Sequence, residues 1–179
     1  VLLLATPVTA QLAPQPSRLD MIMAAKKLRV GTTGDYLPFT WWNEEKKAFE
    51  GIDIDMARSL AQGLGVELEI VKTSWPTLMT DFEADKFDIA MGGVSVSLDR
   101  QRKGYFSQPY LRDGKAAITR CEDVAKYNGL ALIDRPETRM VVNPGGTNER
   151  FARATIKQAP IRVHPDNRTI WKEILENRA

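Results

Sequence analysis

The residues best suited to receive a negatively charged ligand fall where predicted strands run into glycine. Asp35 and Tyr36 follow Gly34. Ser95 follows Gly92-Gly93, with Arg100 a short way on. "VVNPGGTNERFARA" ends an apolar β-branched run in Asn143, Gly146, Thr147 and Asn148 and then reads as a helix. Free N–H groups at a helix start, with the dipole behind them, favour a carboxylate or phosphate. Arginine adds a planar fork that grips both oxygens of a carboxylate, so Arg100 is the candidate clamp, although "DRQRK" also reads as a solvated charged face. Lys115 supplies a second cation. Trp75, beside Pro76, is either a packed anchor at a helix start or a wall for a ring. Asp35 is either an orienting carboxylate or a turn residue after Gly34. With hydroxyls, amides and aromatic walls, the set suits a small dianion with an apolar ring.

Other chemistries find little support. One histidine, His164, and one distant cysteine, Cys121, make no metal site, so a metal is not expected. Nucleophile elbow, Walker and dinucleotide-binding motifs are absent, and "NPGGTN" lacks the spacing of the last.

These residues need elements to hold them. "SRLDMIMAAKK" reads as a helix that Ser17 could cap, with Leu19, Ile22 and Met23 on one face. "KLRV" reads as a strand that Gly31 and Gly34 break. "GIDIDMARSLAQGLG" reads as a helix capped by Asp53 or Asp55, buried along Met56, Leu60 and Leu64, and ended by Gly63 or Gly65. "VELEIVKT" alternates as a strand, "WPTLMTDFEADK" starts a helix with Pro76 in its first turn, and "FDIAMGGVSVS" is a buried strand. "LDRQRKGYF" is a short helix and "SQPYLRDGKAAITR" an extended exit. "FTWWNEEKK" reads as a rim or hairpin. A second unit begins near "LALIDRPETRMVVNPGG" and continues through "IRVH" into a helix at "NRTIWKEILENRA". Alternating strands and helices predict an α/β layer with a largely parallel sheet, and two such lobes make a cleft at the strands' carboxyl ends.

The 179 residues carry 25 basic and 23 acidic side chains, a net charge of +2 without blocks of like sign, which argues against nucleic acid as a partner. "VLLLATPVTA" resembles the later part of a signal peptide, with a small-x-small site at Val8-Thr9-Ala10, and is too short to span a bilayer. The expected organisation is therefore a signal remnant and leader over 1–16, a first lobe over 17–115 and a partial second lobe over 116–179. The chain stops inside a helical pattern, "EILENRA", and is read as lacking carboxyl-terminal structure; Cys121 then has either a partner outside this stretch or a buried, free thiol.

"LRVGTTGDYLPF", "GIDIDMARSLAQGLG", "FDIAMGGVSVSLDRQRKGYFSQPYL" and "GGTNERFA" together resemble the extracellular solute-binding proteins of amino-acid ABC transporters. Within them, "TSWPTLMTDF", "NPGGTN" and "VHPDN" resemble the periplasmic cyclohexadienyl dehydratases. The resemblance implies a two-lobed, type II periplasmic-binding-protein-like fold whose second lobe and return to the first are incomplete. It implies a periplasmic protein, exported by its signal peptide, that converts prephenate to phenylpyruvate and L-arogenate to L-phenylalanine without a cofactor. By the same resemblance, Arg100 holds one carboxylate with Thr147 and the turn N–H groups, and Lys115 sits near the other carboxylate or the leaving group. Asn143 and Asp35 orient polar groups, and Trp75 packs on the ring. The general acid falls beyond Ala179, and Glu173 is not that acid. The alternative is an amino-acid-binding protein that serves an ABC permease.

Overall fold

The computed structural model describes residues 15–179, so the expected leader and its Val8-Thr9-Ala10 site lie outside the described residues. Helix α1 (Arg18–Ala25) starts with a capping box: the Ser17 hydroxyl accepts from the Asp20 N–H at 3.1 Å, and the Asp20 carboxylate accepts from the Ser17 N–H at 2.9 Å. Of its expected apolar face only Ile22 is buried; Leu19 and Met23 are exposed.

Strand β1 (Lys27–Thr32) follows, and then a small antiparallel sheet of β2 (Asp35–Tyr36), β3 (Thr40–Asn43) and β4 (Ala48–Glu50). The tryptophan pair of the expected hairpin lies on β3. Helix α2 (Ile52–Leu64), strand β5 (Glu67–Lys72), helix α3 (Leu78–Glu83), strand β6 (Ile89–Ala90) and helix α4 (Leu98–Gln101) complete this part. The order β5-β1-β6 is parallel throughout, with β1 central.

Two sequence expectations fail here for one reason, close approach. Gly31 does not break β1; it pairs with Val71 and Ala90 inside the sheet. A Cβ there would lie 2.5 Å from the Phe87 ring, so the glycine is a notch for that buried ring. Helix α2 buries Asp53, Ile54, Ala57 and Ala61 and leaves Met56 and Leu60 exposed. Small alanines let its backbone settle onto Leu28 and Val30 of β1, where the larger side chains would hold it off. Gly51, not Asp53 or Asp55, is its N-cap, and left-handed Gly65 ends it.

From the end of α4 to residue 120 the chain runs without helix or strand, then makes a single 3-10 turn at Cys121–Asp123. Helix α5 (Leu130–Ile133), strand β7 (Met140–Val142), helix α6 (Thr147–Thr155), strand β8 (Ile161–Val163) and helix α7 (Ile170–Leu175) form the second unit, with β7 and β8 parallel. It has its own apolar cluster of Ile133, Ile156 and Ala159, separate from the first. The fold is α/β and two-lobed. Cys121 is exposed, which removes the buried-thiol alternative. Among the described residues no helix is long and apolar enough to cross a membrane.

Candidate functional site

The strand ends meet across the two units, and each is fixed differently. At the end of β1, Gly34 turns the chain with φ +70, and a Cβ on it would press on Phe49 at 2.6 Å. This sends Asp35 and Tyr36 toward the cleft. After β6, Gly92 and Gly93 take φ +146 and +67. Their N–H groups both donate to one carboxylate oxygen of Asp53, at 2.6 and 2.7 Å. The other oxygen accepts from the Tyr110 hydroxyl at 2.7 Å. Asp53 is buried at the start of α2, so a helix residue ties down the loop that carries Ser95. Burial and the Asp53 carboxylate push the Tyr110 hydroxyl well above the usual tyrosine range. Sequence reasoning took Asp53 for a cap; nothing in its spacing marks a loop tether.

A small cavity lies between the units. From the first side, Tyr36, Trp75, Ser95 and Lys115 line it. From the second come Asn143, Gly146, Thr147 and Asn148. These candidates are therefore brought together. The cavity is half open to solvent, and its inner space of about 20 Å3 has room for a water molecule.

Lys115 bridges them. Its ammonium donates to Thr147 Oγ1 at 2.9 Å and to Asn148 Oδ1 at 2.6 Å. Burial, and then the nearby Arg100 charge, pull its pKa below the ordinary lysine value. The Thr147 hydroxyl also reaches Ser95 Oγ at 3.5 Å, and Asn148 Nδ2 donates to Asn143 Oδ1 at 3.4 Å. Of the amides in the Gly145–Gly146 turn, that of Gly145 is committed to Glu149 Oε2 at 2.8 Å. That bond, helped by Arg153, holds the Glu149 carboxyl below its usual range.

Asp35 and Arg100 stand one step back. The Asp35 carboxylate accepts from the Trp75 indole N–H at 2.9 Å, so it orients the ring. Arg100, 3% exposed, donates to the Ser95 carbonyl at 2.9 Å, and its guanidinium carbon lies 6.0 Å from the Trp75 ring centre. Arg100 faces a neighbouring hollow of about 240 Å3 on the far side of Trp75, shared with Met79 and Arg150. Burial first, and Arg150 second, lower its pKa. A buried cation whose one hydrogen-bond acceptor among the described residues is neutral is poised for an anion.

Asn167 and Gly93 also line the cavity, and sequence reasoning assigned neither. The strand-end rule that found Asn143 reaches Asn167 too, because it follows β8 in "HPDN". Glu173 lies elsewhere: buried, it is held by Arg178 and Arg162, and these bonds bring its pKa down to about 2. His164 Nε2 meets Thr169 Oγ1 at 2.8 Å. Among the described residues no group of three or more His, Cys, Asp and Glu side chains converges on one point.

The profile of the bacterial extracellular solute-binding proteins, family 3, matches residues 28–176. The cyclohexadienyl dehydratase of Pseudomonas aeruginosa is 54% identical over 171 residues, covering 96% of this chain and 63% of that protein. The chain thus spans less than two thirds of the length of this curated relative. The solved ancestral amino acid-binding protein AncCDT-1, a precursor of cyclohexadienyl dehydratase, matches with a TM-score of 0.86 at 34% identity, over 91% of this chain and 71% of that one. The ancestral cyclohexadienyl dehydratase AncCDT-3(P188L) matches with a TM-score of 0.54 at 52% identity, over 93% and 69%.

Proposed function

Because the chain belongs to the bacterial extracellular solute-binding proteins of family 3, we propose that it forms the cleft of a periplasmic cyclohexadienyl dehydratase. The reaction takes prephenate to phenylpyruvate, or L-arogenate to L-phenylalanine. The ring loses carbon dioxide and a hydroxyl group, which leaves as water after protonation, and becomes aromatic. That gain drives the step, so the protein has to supply fixed charge and a proton donor and no cofactor. The ligand sits between lobes spanning 17–115 and 116–179.

One observation carries this reading. The first wall of the cavity offers hydroxyls and a lysine and the second a hydroxyl and amides, and among the described residues none that lines it bears a carboxylate. Such a lining receives anions. Lys115 takes one substrate carboxylate once it is released from Thr147 and Asn148, and those two groups, with the Gly146 turn, help to hold it. Arg100 takes the other, from behind Ser95. Trp75 and Tyr36 flank the ring, with Asp35 fixing the Trp75 indole. Asn143 orients the polar groups of the ring. On this reading the general acid belongs outside these 179 residues.

The experiment follows phenylpyruvate absorbance after prephenate is added. The 179-residue chain should bind prephenate without turnover, and a fusion to the remaining third of the Pseudomonas enzyme should turn it over. Turnover by the chain alone overturns the placement of the acid; a fusion that binds but stays inactive overturns the dehydratase reading.

A second reading has the ancestral binding protein behind it: an amino-acid receptor for an ABC permease. An α-amino group needs an anionic partner, and Asp35, the carboxylate expected at the cleft, has one oxygen engaged with Trp75. Tighter binding of L-arginine than of prephenate would favour the receptor.

A further inference from the structure

We propose that Asn167 contacts the ligand, selects for a ring hydroxyl and links binding to closure; this rests on the dehydratase reading. Asn167 lies in the loop between β8 and α7. The loop is internally braced: Asp166 Oδ1 accepts from the Arg168 N–H at 2.9 Å, and the Asp166 carbonyl accepts from the Thr169 N–H at 3.1 Å. Thr169 in turn engages the His164 ring at 2.8 Å. A braced loop presents its side chain with little entropy left to lose.

The side chain reaches across the cleft. Asn167 Nδ2 donates to the Asp35 carbonyl at 3.0 Å, and Arg168 meets Glu44 of the β3–β4 hairpin at 3.5 Å beside it. Asp35 is the residue whose carboxylate holds the Trp75 indole, and Trp75 packs on Arg100. The Asn167–Asp35 bond therefore joins the second wall to a first-wall run of contacts, Asp35 to Trp75 to Arg100 to Ser95, and that bond forms only when the two walls meet.

The amide oxygen of Asn167 meets no donor among the described residues, and the residue lines the cavity. It can accept a hydrogen bond from a ligand hydroxyl. In a dehydration that fixes which lone pair of the leaving oxygen faces the acid: the hydroxyl keeps its own proton on Asn167, gains one from the acid and departs as water. The amide is neutral, so it adds no repulsion toward two carboxylates. An acidic side chain here would repel both the ligand and the Asp35 carbonyl.

The test compares prephenate, which bears the ring hydroxyl, with phenylpyruvate, which lacks it, by calorimetric titration of the chain and its variants. Asn167→Ala should weaken prephenate about fivefold more than it weakens phenylpyruvate, the loss of one neutral hydrogen bond beyond any cost of opening that both ligands share. Asn167→Asp should weaken both more than tenfold. Thermal melts of each variant establish that it is folded. A wild-type preference for prephenate that Asn167→Ala leaves intact overturns the role alone. A wild-type chain that ignores prephenate overturns the dehydratase reading and this role with it. Small-angle scattering of the ligand-free chain gives a separate reading: Asn167→Ala should expand it, and unchanged dimensions overturn the closure link.

Discussion

Lys115 shows how much of a residue's role can be read before its surroundings are known. The sequence marks it as a cation leaving the first lobe; only the fold supplies the Thr147 and Asn148 bonds and the Arg100 neighbour. Its lowered pKa gives a signed expectation. The folded chain holds this proton less tightly than the unfolded chain, so this site makes stability rise with pH between its folded pKa and the ordinary lysine value near 10.5. Anion affinity runs the other way, because only the ammonium attracts a carboxylate, and it should fall as pH climbs through the same window. Lys115→Met should flatten that pH profile in a titration series; a profile that keeps its slope assigns the proton elsewhere. Arg100→Ala should weaken prephenate by more than tenfold, since a charged hydrogen bond contributes about 1.5–3 kcal/mol. Calorimetry giving an unchanged affinity removes Arg100 from the site. Asp35 was legible as a cleft residue but not as the partner of Trp75, because a turn carboxylate carries no signal of which donor it will meet.

At the scale of elements, strand ends were easy to find and helix faces were not. The glycines after β6, the β-branched run into the glycines after β7, and Gly34 beyond β1 marked where the chain turns toward the cleft, although β1 runs on through Gly31, and with them came most of the cavity wall. The buried face of α2 was misread because hydrophobic size favours Met56 and Leu60, whereas backbone approach favours Ala57 and Ala61. This predicts that Ala57→Leu destabilises by about 1–3 kcal/mol through overpacking, while Met56→Ala costs under 1 kcal/mol, as measured by urea unfolding. Equal costs would return the helix to its expected face. The Asp53 tether belongs to this scale as well. Asp53→Ala leaves the Gly92 and Gly93 amides and the Tyr110 hydroxyl without their acceptor, at about 1–3 kcal/mol for a buried donor. Those two glycine amides should then exchange with solvent at least tenfold faster in hydrogen-exchange experiments, and protection as in the wild type would mean that the loop is held by something else.

Across the whole molecule, the two-lobed α/β arrangement was legible from the order of elements, because each unit repeats strand, helix and strand around its own apolar cluster. The manner of closing was not. It depends on contacts between residues far apart in the chain, which no local pattern encodes. Gly145 is the sharpest of these: at φ +73, a Cβ would stand 2.5 Å from the Cα of Pro76 in the opposite wall. Gly145→Ala should therefore hold the walls apart, weaken ligands of either class more than tenfold and enlarge the scattering dimensions, while the melting temperature shifts by only a few degrees. Full affinity in that variant would show that the walls never need to approach so closely. A different consequence follows from the exposed sulfur on the 3-10 turn. With one cysteine in its 179 residues, the chain has a single thiol to couple. Oxygen, which takes up the two electrons and two protons released, or a bifunctional maleimide can join two copies of it into a pair, and the coupling halts there.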